Sequence, residues 1–294
     1  MILSGSAPFT LRENRVSYLI PGGEMIDAFY GHPVRENCMQ SQAWIASTTY
    51  SALGGDNSGL SYLSPEYGDQ TLKQVLDARG KEFLGEDHVA RWGNTPGFLL
   101  KLLHSRDRLL VQVHPSKEMA KKYFASPFGK AEAWYVLDVS PETRAVIYAG
   151  FKPWVTRELF EELIRAQDTQ RILECLHCFE VKAGDVIYIA PGLPHALGAG
   201  FLVAEIQEPT DITLRAERIR PDGTVLPEQS LHSGIGYEGL LDCFSFRGAD
   251  WQTIAEQIFV RPKVLSDTGT ASERLLIGGE QTPCFSMRLT EVRA

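Results

Sequence analysis

From Leu109 to Met119 the chain reads LLVQVHPSKEM, an apolar run broken by Gln112 and His114 and closed by Pro115. In a β-strand, side chains two positions apart share a face, so Gln112 and His114 lie together while Val111 and Val113 point the other way. GKAEAWYVL repeats the alternation: Lys130, Glu132 and Trp134 share one face, Ala131 and Ala133 the other. Val203, Glu205 and Gln207 also share a face, so Glu205 can look into a barrel if its neighbours do. Further strands are predicted in RVSYLI before PGG, in QAWIASTTYSAL before GGDNSG, and in EVKAGDVIYIAPG, where β-branched and aromatic residues are bracketed by turn formers.

Helical signals are local. SKEMAKKYF begins at a good N-cap, Ser116, and TRELFEELIRA begins at Thr156, with Leu159, Phe160, Leu163 and Ile164 on one side. The same pattern predicts another turn or two through Ile172, Leu173 and Leu176. Many strands, few short helices and little strand–helix–strand alternation favour an antiparallel barrel or sandwich over a doubly wound fold. After about Glu217 the chain becomes turn-rich, in RIRPDGTVLPEQSLHSGIGYEG. ADWQTIAEQI and two strand-like runs follow. The expected organisation is therefore a main domain over residues 1–215 and a smaller region over residues 216–294.

Composition narrows the function. The 294 residues carry a formal charge of −8, and their 29 Lys and Arg form no block. Nucleic-acid backbones are held by clustered cations, so nucleic acid is not an expected partner, whereas an anionic metabolite is. No apolar run approaches a membrane span, and MILSGSAPFTLRENR lacks a basic stretch followed by a long apolar one. A cytoplasmic protein is expected. Five scattered cysteines do not resemble a disulfide framework, and CLHC, Cys175 to Cys178, has no second pair to complete a zinc site. These cysteines are expected to be reduced and structural.

Gln112, His114, Glu132 and His195, the last delivered by the loop in AGDVIYIAPGLPHAL, make an oxygen and nitrogen set suited to a borderline divalent metal such as zinc. On spacing alone Lys130 and Arg215 read as solvated cations and Asp211 as a turn residue after Pro209. His32, His88, His104, His177 and His232 read as surface or structural histidines.

Gly184 to His195 resembles the second cupin motif: Gly184, Gly192 and His195 fall on its offsets, with Ala190 and Pro191 in the reverse of the usual order. VQVHP, GKAEAWYVL, GDVIYIAPGLPHALGAG and AEIQEPTDITLR resemble, in order and spacing, the type I phosphomannose isomerases, especially the short bacterial form. NRVSYLIPGG and SQAWIAS are weaker upstream matches, and Gln42 in the latter stands where relatives often carry a glutamate. The resemblance implies a mainly β, cupin-barrel fold with a few short helices and a reduced or truncated C-terminal β region. It implies zinc held by Gln112, His114, Glu132 and His195. It brings Lys130, Glu205, Asp211 and Arg215 to the same pocket, which reverses the bland reading of Lys130, Asp211 and Arg215.

The reaction implied is interconversion of mannose 6-phosphate and fructose 6-phosphate through an enediol, in a monomer or homodimer. Such a reaction needs a positive centre beside the sugar's O1 and O2 to steady an enediolate, and a base near C1 or C2. Glu205, Asp211 and Lys130 are candidates for the base. Arg215 is not, because a guanidinium stays protonated. Two other classes compete: a non-catalytic cupin that senses sugar phosphates, and a cupin metal oxygenase. Gln112 in place of a histidine speaks against redox iron, and an acid–base set is more than a sensor needs.

Overall fold

The computed structural model describes residues 3–36 and 38–293. Strands β1 (Arg15–Val16), β2 (Gln42–Ile45), β3 (Leu99–Ser105), β4 (Gln112–Val113), β5 (Glu132–Val139), β6 (Val146–Phe151), β7 (Leu176–Glu180), β8 (Val186–Ile189), β9 (His195–Leu197), β10 (Phe201–Gln207) and β11 (Leu214–Arg215) build two antiparallel sheets. Their orders are β1-β2-β3-β10-β5-β8 and β11-β4-β9-β6-β7. A third sheet holds β12 (Lys263–Asp267), β13 (Ala271–Ile277) and β14 (Met287–Val292). Helices are α1 (Glu24–Phe29), α2 (Leu72–Leu84), α3 (Glu86–Trp92), α4 (Lys117–Phe124), α5 (Arg157–Ala166), α6 (Thr169–Glu174), α7 (Gln229–His232), α8 (Gly236–Asp242) and α9 (Trp251–Ile258). Among the described residues no helix is long and apolar enough to cross a membrane.

The period-two pattern sorts each strand into an inner and an outer face. Leu103, Trp134, Val136, Ile187 and Val203 of the first sheet pack against Ile147, Ala149, Phe179 and Leu197 of the second, forming the space between them. Val111, Val113 and Ala196 face the other way, beneath Phe160, Leu163 and Ile164 of α5 and Leu240 and Leu241 of α8. Ala131, Ala133 and Ile206 face outward from the first sheet against Leu276 and Ile277 of β13. Both faces of the central strands are thus covered, and polar residues interrupt the apolar inward face.

The caps expected at Ser116 and Thr156 are present: their side chains accept from the backbone N–H groups of Met119 and Leu159. The continuation past α5 differs from the expectation. Gln167 takes a left-handed conformation at φ 52° and closes α5, Asp168 caps a separate α6, and Leu176 begins β7. RVSYLI yields only the two-residue β1, and QAWIASTTYSAL yields only β2, because Ala46 turns out of the strand at φ 50°.

Arg15 ties β1 to α1 and to the segment before β2. Its guanidinium donates to Asp27 Oδ1 at 2.8 Å and to the Gln40 carbonyl at 2.7 Å, while Arg35 donates to Asp27 through its backbone and side chain. Asp27 is fully buried. The Arg35 hydrogen bonds outweigh burial and, with Arg15, hold the carboxyl at about 2, against an ordinary 3.8. A lowered folded-state value means stability that is complete above about pH 4 and lost as pH falls toward 2, about 2 kcal/mol in all. Urea unfolding at pH 7 and pH 3 checks this. Asp27→Asn is expected to lose about that much at pH 7 and to flatten the acid side of the stability profile. An unchanged acid profile contradicts it.

Candidate metal centre

Register brings the polar residues together. Gln112 pairs with His195 on one side and with Arg215 on the other. In the facing sheet Glu132 lies opposite Gln207, and Glu205 lies between Lys101 and Trp134. The Pro191–Gly192 turn brings His195 in: Gly192 has φ 85°, a conformation that favours glycine, and its N–H donates to the His114 carbonyl at 2.9 Å.

His114, Glu132 and His195 form a buried group whose ligand atoms lie within 4.8 Å of one another. His114 Nε2 is 3.1 Å from Glu132 Oε2, and His195 Nε2 is 3.3 Å from Glu132 Oε1. The far nitrogens settle the protonation. His114 Nδ1 contacts the Ile212 carbonyl at 3.1 Å and His195 Nδ1 the Leu193 carbonyl at 2.9 Å. A carbonyl can only accept, so each Nδ1 carries a hydrogen, and the inward Nε2 is the nitrogen with which each ring, when neutral, offers a lone pair. Burial, reinforced by the Lys130 ammonium, pushes His114 down to about 3 and keeps it neutral. Burial alone would raise the Glu132 carboxyl, but the Lys130 ammonium beside it more than offsets this and holds it well below the usual carboxylate range.

Two lone pairs and a carboxylate therefore converge on one point. Glu132 Oε1 is buried with no hydrogen-bond donor, although the nearby His195 Nε2 falls within ion-pair distance. In the neutral ring that nitrogen offers a lone pair, which a cation between the two would share with the carboxylate oxygen. The Lys130 ammonium supplies part of the missing charge, 3.0 Å from His114 Nε2 and 3.2 Å from Glu132 Oε2. The donor set fits a borderline divalent metal. Gln112 presents Nε2 to His195 Nε2 at 3.2 Å and receives the Tyr18 hydroxyl on Oε1 at 3.3 Å. A half-turn of its amide brings the oxygen to the group.

Glu205, placed here by the alternation, accepts from Lys101 at 3.0 Å. Lys101 also donates to Gln207 Oε1 at 2.6 Å, lies 3.9 Å from Asp211, and sits 5.0 Å over the Trp44 ring. Burial works against its charge, but Glu205 and Asp211 more than offset this and raise its pKa. Sequence reasoning missed Lys101. Its signal, a lysine at the centre of the apolar LLKLLHS, is of the same kind as the amide and imidazole in VQVHP.

Tyr18, Asp211 and Thr213 line both this cluster and a cavity of about 630 Å³ that opens beside it. Tyr50, Phe124 and Arg215 also line the cavity. Asp211 accepts the Ala52 N–H at 2.9 Å, and Arg215 donates to the Thr213 and Ser230 carbonyls. Arg215 thus lies in the mouth rather than among the metal-ligand candidates. The remaining histidines stand apart: His32 pairs with Glu13, His88 with the Thr95 carbonyl, His104 accepts from the Gly23 N–H, and His177 bonds the Ala249 carbonyl. Cys175 is buried and Cys178 exposed.

The fold is that of the phosphomannose isomerases. Over 98% of this chain and 81% of that one, it matches the mannose 6-phosphate isomerase of Bacillus subtilis with a TM-score of 0.73 at 20% identity. The phosphomannose isomerase of Salmonella typhimurium matches over 91% of this chain and 80% of its own, with a TM-score of 0.63 at 17% identity. Among curated sequences, the Bacillus subtilis protein named "Probable mannose-6-phosphate isomerase GmuF" is 34% identical over 154 residues, 51% of this chain and 47% of that protein. The mannose-6-phosphate isomerase of Streptococcus mutans is 35% identical over 133 residues, 44% of this chain and 40% of that protein. The matched stretches thus span about half or less of each curated relative's length. No protein-family model matches the chain.

Proposed function

We propose that the protein is a zinc-dependent aldose–ketose isomerase that interconverts mannose 6-phosphate and fructose 6-phosphate through an enediolate. The observation that carries this reading is the convergence of two inward imidazole lone pairs and the donorless Glu132 oxygen beside a polar, open cavity. The names of the sequence relatives point the same way.

Gln112, His114, Glu132 and His195 would hold the zinc. When bound, it supplies the positive charge that steadies an enediolate. The chain's own residues handle the protons and the substrate. A carboxylate, Glu205 or Asp211, takes the proton from C2 of the aldose and a proton is returned to C1, while the O2 hydroxyl gives up its proton and O1 gains one, which leaves the ketose carbonyl at C2. Lys101 donates to Glu205 and so fixes the direction of its carboxylate. Lys130 supplies charge to developing oxyanions. Arg215, always protonated, meets an anionic group of the sugar in the cavity mouth.

The facing sheets read as a cupin barrel over residues 1–215, with residues 216–294 as a smaller C-terminal region that forms part of a second cupin-like barrel, in a cytoplasmic enzyme acting on a soluble sugar phosphate. A coupled assay following fructose 6-phosphate from mannose 6-phosphate tests the activity. Turnover supports the reading. A protein that loads metal and binds sugar phosphates without converting any of them favours the sensor instead.

A further inference from the structure

Tyr18 and Gln112 are joined by a hydrogen bond whose direction is fixed by its surroundings. Gln112 presents its NH2 group to His195 Nε2 at 3.2 Å, the inward nitrogen of a ring whose Nδ1 donates to the Leu193 carbonyl. The amide oxygen therefore faces Tyr18, and the Tyr18 hydroxyl donates to it at 3.3 Å. Toward a cation held among His114, Glu132 and His195, Gln112 would present its amide oxygen in place of the NH2 group, a half-turn of the amide. Tyr18 then faces an NH2 group. That group only donates, so the phenol oxygen must accept, and its own hydrogen has to point elsewhere. Tyr18 lines the cavity of about 630 Å³ as well as the space beside Gln112, Lys130 and Glu205, so the direction open to the hydrogen is the cavity.

We propose that Tyr18 is a substrate-binding residue whose hydroxyl hydrogen is released toward a sugar hydroxyl or carbonyl oxygen when Gln112 turns its amide oxygen to the metal. This rests on the isomerase reading and adds a residue and an order of events to it: metal first, then a correctly polarised sugar site. The two residues act as one unit, which a double-mutant cycle can isolate.

The test uses wild type, Tyr18→Phe, Gln112→Glu and the double variant, with thermal melts confirming that each is folded. Zinc affinity is measured by competition with a chromophoric chelator. Binding of a hexitol 6-phosphate, which cannot isomerise, is measured by calorimetry on the zinc-loaded proteins. Tyr18→Phe is expected to keep zinc affinity within about threefold and to weaken hexitol phosphate binding about tenfold. A glutamate at 112 offers an acceptor on both sides, so Tyr18 keeps donating to it. In that background Tyr18→Phe is expected to cost less than about twofold. Equal costs in both backgrounds overturn the proposal, as does a large zinc loss from Tyr18→Phe with sugar binding unchanged. Wild type that loads zinc but binds no hexitol phosphate overturns both the proposal and the isomerase reading. Wild type that binds both yet never turns over mannose 6-phosphate contradicts the isomerase alone.

Discussion

Replacing His114 by alanine is expected to abolish metal retention and to lower kcat/KM for mannose 6-phosphate by at least about a thousandfold, equivalent to about 4 kcal/mol of transition-state stabilisation. The reason is geometric. His114 contributes one of the two inward lone pairs, and its Nδ1 is tied to the Ile212 carbonyl, which fixes both tautomer and direction. Its side chain is buried, so the cavity left behind is not replaced by an exposed ligand. Metal analysis of the purified variant beside wild type checks the first half of the prediction, and steady-state kinetics the second. A variant that keeps both metal and activity shows that the ligand assignment is wrong.

Lys101→Met is the change expected to cost most in stability. Lys101 and Glu205 are both buried, 3.0 Å apart, and Asp211 lies 3.9 Å from the same ammonium. Methionine fills much of the volume but leaves two carboxylates facing each other without a counter-charge. Breaking such a pair costs about 3–5 kcal/mol, or about 6–15 °C in Tm for a chain of this size. Activity is expected to fall as well, because Glu205 and Asp211 lose the ammonium that holds them in position. Lys101→Arg keeps the charge and is expected to recover part of the stability. Melting temperatures of the three proteins decide the matter, and a loss below about 1 kcal/mol for Lys101→Met contradicts the buried-pair account.

Much of the candidate centre was legible because strands alternate. Gln112, His114, Glu132 and Glu205 stand out as polar positions on otherwise apolar strand faces, and the structure puts them all between the two sheets. Lys101 carried the same signal, yet a lone lysine is ordinarily a solvated residue. Only the pairing of β3 with β10 brings it against Glu205 and Gln207. Arg215 shows the converse. Its strand neighbour is Gln112, but its guanidinium turns to the Ser230 carbonyl in the mouth, a direction that sequence spacing does not carry.

The fold divides in the same way. Helix caps at Ser116 and Thr156 were readable because a short side chain satisfies a local N–H. Helix α2 was equally local, with a capping box between Thr71 and Gln74, but its apolar face is too weakly periodic to attract notice. Strand ends were the least legible. They are set by turns such as that at Ala46 and by partners far along the chain, as when two-residue β4 takes β9 and β11 as neighbours.

The central claim is that a metal held by Gln112, His114, Glu132 and His195 drives the isomerisation, and metal removal and return tests it most directly. Purified protein is stripped with a chelator, assayed on mannose 6-phosphate, and assayed again as zinc is added back in measured steps. The account predicts loss of turnover on stripping and recovery that levels off at one zinc per chain. Full activity in protein shown by analysis to be free of metal contradicts it.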